Sequence, residues 1–272
     1  MRAAFRVLCV LLSGAAPTGA AGLKDFGPGA SCLIGPNHSY KLAMATAGAL
    51  AMVAVERSDK VRKGDVIAQL ESGVEQAQLE AARVRAAAET QIRLKKAVAD
   101  STAAKAERLG RLREQAIANQ QSLDDAQTGA NAAKADHEQA LLERTLATLD
   151  VRRLEATLER RILRAPADGV ITAVDLHAGE YADPANAVAT LTEIDPLRVD
   201  VYLPAAAYPL VKRGDRAMIT PRDPEAAPRA AEIITRDPQI DASSGLFLVQ
   251  LRLPNPEGAL PAGVRCSVEF VP

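Results

Sequence analysis

The most informative feature of this 272-residue sequence is a shortage of bulky residues. It has no tryptophan, and aromatic residues make up only 3%. None of the 16 prolines lies between Pro36 and Pro166, and no aromatic residue lies between Tyr40 and Tyr181. Large aromatic side chains contribute heavily to the cores of globular domains. The long central stretch that lacks them is therefore not an ordinary compact domain.

A surplus of charge is also lacking, because 33 Lys and Arg residues are balanced by 34 Asp and Glu residues, for a formal net charge of −1. Proteins that bind nucleic acid need a basic surplus or a basic stripe. We therefore expect no nucleic-acid partner. Hydrophobic residues make up 48% of the chain, which is too many for a wholly disordered protein.

Long hydrophobic runs are absent too, since no segment approaches the ~20 apolar residues that a membrane-spanning helix needs. Residues 1–22 nevertheless have the features of a secretory signal peptide. Arg2 and Arg6 precede a short apolar core at residues 7–12, and small residues follow at 18–21. We expect this segment to be cleaved after export, leaving a soluble protein in an exported compartment.

Cysteine is scarce, with three residues in the chain: Cys9, Cys32 and Cys266. Cleavage of the signal peptide would remove Cys9. In an oxidising compartment the other two can form a disulfide, but two independent buried thiols fit the sequence equally well.

Patterns of catalytic or metal-binding residues are missing as well. The three histidines, His38, His137 and His177, lie far apart in different predicted elements. His137 and Glu138 begin a zinc-protease-like pattern, but Leu141 stands where the second histidine would be required. We therefore expect no catalytic residues, no metal site and no cofactor.

The sequence does contain an internal repeat. Residues 48–71 and 169–192 align without gaps, and each copy predicts short strands separated by turns. Identical residues at the constant offset are Gly48 and Gly169, Val53 and Val174, Ala68 and Ala189, and Leu70 and Leu191. Neither copy has enough apolar surface for its own core, so two related halves would pack as one small β-sandwich. Chance similarity between two β-rich segments is the alternative.

Between the two copies, residues 74–164 contain no proline and only two glycines, and strong helix formers dominate. Apolar residues follow heptad spacing in two registers. The first register runs through Val74, Ala77, Ala81, Val84, Ala88, Gln91, Lys95, Val98, Thr102, Lys105, Leu109, Leu112 and Ala116. The second runs through Leu123, Ala126, Ala130, Ala133, His137, Ala140, Arg144, Ala147, Val151, Leu154, Leu158 and Arg161.

These two registers predict two long helices, with the turn near residues 116–122 and its most turn-like part at 118–122. Because the two halves of the repeat must meet, the helices should form an antiparallel hairpin with arms of roughly 60 Å. A coiled coil that dimerises two chains is the alternative.

The first copy of the repeat resembles the first half of a lipoyl/biotinyl domain. The matching pattern is Asp59-x-Val61-x-x-Gly64-Asp65-x-Ile67-x-x-Leu70-Glu71, and residues 165–171 resemble the start of the second half. In carrier domains of that fold, a modified lysine lies on the hairpin between the halves. Here Leu70-Glu71-Ser72-Gly73 leads into the helical insertion without such a lysine. The resemblance therefore implies the fold without its cofactor, and this opposes a carrier domain of a biotin- or lipoate-dependent enzyme.

A lipoyl-like domain split by a helical hairpin, behind a signal peptide, resembles the periplasmic adaptor proteins of the HlyD/AcrA type, also called membrane fusion proteins. The resemblance implies an elongated α+β fold. Residues 48–73 and 165–193 would form the β-sandwich, split by the antiparallel coiled-coil hairpin of residues 74–164. Residues 194–272 would form a β-barrel domain, to which the segment 23–47 contributes strands at 31–34 and 40–47.

Within the barrel domain, the alternation of apolar residues predicts strands at 197–203, 213–220, 231–235, 246–253 and 264–270, with a short helix at 204–211. This arrangement would place Cys32 and Cys266 in the same domain. The resemblance thereby favours their pairing as a disulfide.

The resemblance also implies a function. The protein would bridge an inner-membrane transporter, of RND type, to a TolC-like outer-membrane channel for efflux of small molecules. It would work in the periplasm as a ring-shaped homo-oligomer, for example a hexamer, held at the inner membrane by its transporter. The alternatives are an adaptor of an ABC-type or type I secretion system, and a structural coiled-coil envelope protein without a transport role.

In this family the hairpin tip carries an Arg-x-x-x-Leu-x-x-x-x-x-x-Ser pattern that contacts the channel. Arg108 and Leu112 match its first part, and Asn119 takes the place of the serine. Asparagine also has a short polar side chain that can make a similar contact. The resemblance therefore assigns channel contact to these three residues.

Two alternatives remain for the tip. In a shifted register Ser122 would align with Arg111 and Gln115, at the loss of the leucine. Without any channel, Arg108 would be a solvated helix charge and Leu112 a residue of the helix–helix contact.

Overall fold

The structure is a computed structural model that describes residues 22–28, 30–224 and 226–271. The predicted signal peptide lies outside these residues except for Gly22. The described residues divide into two compact units, one made of those within 22–38 and 193–271 and the other of Ser39–Thr192. Among the described helices, none is long and apolar enough to cross a membrane.

The described residues form strands β1 to β14, helices α1 to α3 and two short 3₁₀-helices. The strands are β1 Ser31–Gly35, β2 His38–Ala43, β3 Gly48–Val53, β4 Lys60–Val61, β5 Val66–Leu70, β6 Ile162–Arg164, β7 Gly169–Val174, β8 Tyr181–Ala182, β9 Ala187–Glu193, β10 Leu197–Pro204, β11 Arg216–Pro221, β12 Arg229–Arg236, β13 Leu246–Leu253 and β14 Val264–Phe270. The helices are α1 Gly73–Ala87, α2 Thr90–Glu114 and α3 Gln120–Glu159, and the 3₁₀-helices are Leu23–Phe26 and Ala205–Leu210.

The first unit is a closed antiparallel barrel with strand order β1-β10-β13-β12-β11-β14. Its core follows from the period-2 alternation of the strands. In β10, Leu197, Val199, Val201 and Leu203 point inward and are fully buried, while the residues between them face outward. The barrel that the family resemblance implied is confirmed, and the short helix expected at residues 204–211 is a 3₁₀-helix.

Cys32 on β1 lies directly opposite Cys266 on β14, and the two form a disulfide with their Cα atoms 5.0 Å apart. Both side chains belong to the barrel core. The disulfide joins two strands that are 234 residues apart in the sequence. It therefore ties the N-terminal strand of the barrel to its last strand.

The second unit contains the β-sandwich, and here the internal repeat is visible strand by strand. Strands β3, β4 and β5 of the first copy begin at the same offsets as β7, β8 and β9 of the second copy. The two copies also exchange their short strands, because β4 pairs with β7 and β8 pairs with β3. The sandwich is thus a pseudo-symmetric pair of halves, neither of which forms a complete sheet alone.

The two identical glycines of the repeat stand where a side chain would collide. A Cβ atom at Gly169 would lie 2.5 Å from the carbonyl oxygen of Thr192. A Cβ atom at Gly48 would lie 2.9 Å from a guanidinium nitrogen of Arg161. Close packing against the backbone therefore explains glycine at position 169, whereas glycine at position 48 leaves room for a mobile side-chain end.

One predicted strand assignment is wrong. Residues 40–47 were expected to join the barrel, but β2 forms a sheet with β9, β7 and β4 in the order β2-β9-β7-β4. Leu42 and Met44 are buried in the two apolar clusters of the sandwich. Burial of these two side chains explains why only β1 of the N-terminal segment lies in the barrel.

The insertion forms an antiparallel hairpin in which α1 and α2 make the first arm and α3 makes the second. We call the row of side chains on each arm that faces the other arm the seam. The first arm was expected to be one helix, but it is interrupted at Ala88, whose backbone is extended with φ −72° and ψ 108°. The α3 helix is continuous over 40 residues, about 60 Å at 1.5 Å per residue.

The seam register predicted for the second arm is confirmed. Ala133, Ala140 and Leu154 are buried, and almost all other positions of that register are half-buried. Arg144 is the exception within the helix, because it is exposed and pairs with Glu89 across the hairpin at 2.9 Å.

The register predicted for the first arm is wrong in α1, and in α2 it fits only at Lys95, Thr102 and Leu109, which are half-buried. Leu79 and Ala82 are the buried residues of α1, whereas Val74 and Val84 are 70% and 64% exposed. If the seam of α1 continued at heptad spacing, its next position in α2 would be Arg93. Arg93 is exposed, however, and its neighbour Ile92 is half-buried in the seam. The interruption at Ala88 thus resets the seam by one residue, so no single register fits the whole arm.

Candidate partner-binding site at the hairpin tip

The hairpin turns within five residues, from Gln115 to Asn119. The backbone N–H of Ile117 donates to the carbonyl of Leu112 at 2.9 Å, and that of Ala116 donates to the carbonyl of Arg113 at 2.9 Å. Ala116 has a left-handed backbone with φ 59°. This is the Schellman arrangement that closes many helices, although glycine usually occupies the left-handed position.

Asn119 is the N-cap of α3. Its side-chain oxygen accepts a hydrogen bond from the backbone N–H of Ser122 at 2.8 Å, as expected for a capping asparagine. Residues 120–122 were predicted as part of the turn, but they form the first turn of α3. The prediction was wrong because asparagine and serine favour both turns and helix starts.

Arg108 and Leu112 lie one helical turn apart near the end of α2. Arg108 is exposed and makes no hydrogen bond or ion pair with any described residue. Leu112 is 38% exposed, and Ile117 in the turn is 70% exposed. Arg113, in the last turn of α2, is likewise exposed and its side chain pairs with no described residue. The tip therefore presents two unpaired cations and two accessible apolar side chains.

The sequence analysis did not identify Ile117 as a site residue. The signal that could have identified it is a large aliphatic residue within a polar turn, because a side chain in the turn cannot be buried between the two helices. The alternative tip residue Arg111 is engaged within its own helix, where it pairs with Glu107 at 3.0 Å. Arg108 and Arg111 thus differ in their availability to a partner.

The base of the hairpin is fastened to the sandwich by Arg161, which follows α3. Its guanidinium pairs with the carboxylate of Glu75 on α1 and donates to the carbonyl oxygen of Ala47 at 3.2 Å. The missing side chain of Gly48 leaves room for this guanidinium. Arg160 adds a contact to the carbonyl of Ala45 at 3.3 Å. We call Arg161 and Glu75 the base clamp.

Close to the base clamp, Arg164 donates from Nε to the carboxylate of Glu159 at 2.7 Å. This hydrogen bond lowers the pKa of Glu159 below its ordinary value. The pair is exposed, so it positions the chain as it leaves α3 and adds little to stability.

Ion pairs between the two arms fix how the helices are aligned. Arg83 pairs with Glu155 at 2.8 Å and Lys95 with Asp136 at 2.7 Å. Exposed pairs of this kind are worth about 0–1 kcal/mol each. Their main effect is therefore to select one alignment of the arms, since a shift of either helix would separate all of them.

Within the described residues, no group of three or more His, Cys, Asp or Glu side chains is arranged to hold a metal ion. His38 lies in β2, His137 in α3 and His177 in a loop of the sandwich.

Comparison with curated proteins identifies relatives of this chain. The cation efflux system protein CusB of Escherichia coli K12 is 34% identical over 125 residues, which cover 44% of this chain and 30% of CusB. A Haemophilus influenzae protein described as uncharacterized is 26% identical over 218 residues, covering 80% of this chain and 50% of that protein. The chain thus spans half or less of the length of these relatives. No protein-family model matches it.

Comparison with solved structures shows the fold. MacA from Actinobacillus actinomycetemcomitans matches with a TM-score of 0.73 at 19% identity, covering 89% of this chain and 78% of MacA. The membrane fusion protein Spr0693 from Streptococcus pneumoniae R6 matches with a TM-score of 0.55 at 12% identity, covering 89% of this chain and 97% of that one. The chain therefore has the fold of these proteins, one of which is described as a membrane fusion protein, and part of its sequence is similar to CusB.

Proposed function

We propose that this protein is a periplasmic adaptor that joins an inner-membrane transporter of RND type to a TolC-like outer-membrane channel for efflux of small molecules. The observation that carries the proposal is the hairpin tip. It is a well-defined turn at the end of a 40-residue helix, and it presents unpaired and apolar side chains. In a hairpin that served only as a structural rod, nothing would require Ile117 to be apolar and 70% exposed.

The channel would be contacted by Arg108 and Leu112, with Ile117 extending the apolar surface. Arg108 is free to pair with a carboxylate or carbonyl group of the channel, because no described residue engages it. Asn119 would act mainly as the cap that holds the turn in shape, since its side-chain oxygen already accepts the N–H of Ser122. Its amide nitrogen stays available for a contact. Arg111, which Glu107 already engages, is the less favoured alternative.

A second candidate function concerns the cargo. CusB is described as a cation efflux system protein, and its match to this chain favours efflux of metal cations over that of organic small molecules. A strain that lacks the gene would distinguish the two by its growth on metal salts and on dyes and antibiotics. Sensitivity to metal salts alone would assign the cation function.

The tip assignment is tested by charge reversal. We expect Arg108→Asp to abolish complementation of efflux in a deletion strain while the protein is exported at a normal level. Arg93→Asp is the matched control, because Arg93 is an exposed arginine on the same helix, far from the tip. A photo-crosslinking residue at position 117 should then cross-link to the outer-membrane channel in intact cells.

Full complementation by Arg108→Asp would remove Arg108 from the interface. Absence of any channel cross-link from position 117, with a normal protein level, would contradict the adaptor function itself. Analytical ultracentrifugation tests the proposed ring, since an adaptor ring should sediment as a closed oligomer such as a hexamer. Neighbouring genes that encode an ABC transporter would replace the RND assignment.

A further inference from the structure

Helix α3 carries large apolar residues outside the seam as well as on it. Leu142, Leu146 and Leu149 are each at least 50% exposed, and their spacing of four and three residues places them in one row. A surface helix with a single partner normally has polar residues there. The row continues at the same spacing towards the tip, with every member exposed. We call it the α3 row: Asp125, Thr128, Ala132, Ala135, Gln139, Leu142, Leu146 and Leu149.

The first arm has a corresponding row on α2. Its members repeat every four and three residues, all are exposed, and none contributes to the half-buried seam that includes Ile92 and Thr102. We call it the α2 row: Leu94, Val98, Ser101, Lys105 and Arg108. Both rows have their large apolar residues towards the base of the hairpin and their charged residues towards the tip. The two arms therefore present surfaces with the same order of chemical character.

The charges on the two arms are opposite in sign. Residues 73–114 include nine Lys or Arg against six Asp or Glu, whereas residues 120–159 include four against eight. Ion pairs across the hairpin use only part of this difference. The side chains of Lys105, Arg108 and Asp125 pair with no described residue. The unused charge at the tip end of each row is thus positive on α2 and negative on α3.

These unpaired charges also lie at the same level along the hairpin. Lys95 and Asp136 contact each other at 2.7 Å and mark one level on both arms. From that pair, Lys105 lies ten residues nearer the tip and Asp125 eleven residues nearer. Both helices are continuous here and rise by about 1.5 Å per residue. Two hairpins side by side, with their tips in the same direction, would therefore bring Lys105 of one beside Asp125 of the other.

We propose that the α2 row of one copy of this chain packs against the α3 row of a second copy, with the two tips aligned. This contact rests on the ring-shaped oligomer proposed above and assigns the surfaces that join its hairpins. It uses two different surfaces, so it can repeat from copy to copy and close into a ring. Charge complementarity favours a second copy as the occupant, because each arm carries the sign that the other lacks.

The same charges select the orientation of the contact. If two α3 rows met with their tips aligned, Asp125 would face Asp125, and like charges repel. If the α2 and α3 rows met with their tips in opposite directions, Lys105 would be separated from Asp125 by much of the hairpin. Only the aligned contact between unlike rows joins both the charged ends and the apolar parts.

Exchange of the two charges tests the contact. Sedimentation velocity of the full chain at low salt, over a range of protein concentrations, gives the Kd of self-association. Lys105→Asp and Asp125→Lys should each raise this Kd about tenfold, because an attractive pair becomes a repulsive one. Both changes in one chain should restore association, and so should mixing of the two single variants. Arg93→Asp is the control, since Arg93 is exposed on α2 outside the row.

A leucine substitution tests the apolar part of the contact. Leu142→Glu should also raise the Kd about tenfold or more, because it places a charge within the packed row. The unfolding temperature of the monomer should stay unchanged, since Leu142 is exposed there. Leu141→Glu is the matched control, because Leu141 is also exposed but lies outside the row.

Cross-linking separates this contact from contacts that the barrel or the sandwich makes in the same oligomer. Ser101 and Thr128 lie six and eight residues nearer the tip than Lys95 and Asp136, one on each row. A chain with Ser101→Cys, mixed with a chain with Thr128→Cys and oxidised, should form a disulfide-linked dimer. Either variant oxidised alone should form little, because its new cysteine faces an unchanged row.

The outcomes distinguish the contact from the ring. Unchanged association of both charge variants, with the wild type forming a closed oligomer, would overturn the contact and leave the ring standing. Failure of the double exchange to restore association would contradict the pairing of Lys105 with Asp125. A wild type that stays monomeric at every concentration would overturn both the contact and the ring. The cross-link from position 117 to the channel still tests the adaptor role separately.

Discussion

The barrel and the helical hairpin are stabilised in opposite ways. Every strand of the barrel contributes fully or nearly fully buried side chains to one core, and a disulfide ties its ends together. The hairpin has a small cluster formed by Leu79, Ala82 and Leu154 near its base. Helix α2, which is described throughout, has no fully buried residue. The comparison shows that a domain with a core and a long arm can share one chain while depending on different forces.

The reason lies in surface area. A closed barrel removes the inward half of each strand from water, and each fully buried aliphatic side chain gains about 1.5–3 kcal/mol. Two helices touch along a single seam, so most of their surface stays in water. The arms therefore depend on helix propensity and on ion pairs that select their alignment.

The largest expected difference comes from a matched pair of leucine substitutions. Leu203 in the barrel is fully buried, and Leu146 on the outer side of α3 is 56% exposed. We expect Leu203→Ala to lower the free energy of unfolding by about 2–5 kcal/mol. Leu146→Ala should change it by less than about 0.5 kcal/mol. Urea unfolding followed by circular dichroism measures both, and equal effects would contradict the comparison.

Reduction of the disulfide should affect the barrel and spare the hairpin. Removing a native disulfide costs about 2–5 kcal/mol in small domains. We expect reductant, or the double change Cys32→Ala and Cys266→Ala, to lower the unfolding temperature of the barrel. The helical signal at 222 nm should melt at an unchanged temperature. A mass that does not increase on reduction by the two hydrogens of a disulfide would show that the cysteines are unpaired.

The base clamp attaches the hairpin to the sandwich, so the stability of the hairpin base should depend on this ion pair. Arg161 and Glu75 are only 23% and 17% exposed, so removal of one partner leaves the other poorly solvated. We expect Arg161→Met to cost about 1–3 kcal/mol. Hydrogen exchange should show the loss as faster exchange in α1 and at the end of α3. Arg152→Met, an exposed position on α3, is the control and should leave both segments unchanged.

The smallest effect is expected from acid. Because hydrogen bonds from Ser243 and Ser244 lower the pKa of Asp241 from its ordinary value to about 2, these bonds stabilise the β12–β13 loop above the ordinary aspartate pKa. That contribution should disappear as the pH falls through about 2. Nuclear magnetic resonance titration of the Asp241 carboxyl group measures the pKa directly. A midpoint near 4, or the same acid response in Asp241→Ala, would contradict the assignment.

Much of the fold was predictable because it follows local periodicity. The limits of β13 and β14 agree with the predicted strands, and the seam of α3 follows the predicted heptads. The repeat was predictable from matched turns and spacing, even with few identical residues. The predicted hairpin and β-barrel are confirmed by the structure and by the match to MacA.

The errors have a common physical origin. The seam of the first arm could not be located because alanine and valine lie on both its faces, and the interruption at Ala88 shifts the contact row. The sheet that β2 joins could not be predicted either, since an alternating strand can bury its apolar face in any neighbouring core. Channel contact by Arg108, Leu112 and Asn119 stays a prediction.

The sequence by itself determined which segments are strands, which are helices and where the chain must return on itself. These properties depend on the spacing of apolar residues and on glycine and proline, which act over a few neighbours. Only the tertiary structure decided the exchange of β4 and β8 between the halves, the base clamp through Arg161, and the sheet that β2 joins. Each of these joins residues that are distant in the chain, so it depends on packing that no local pattern encodes.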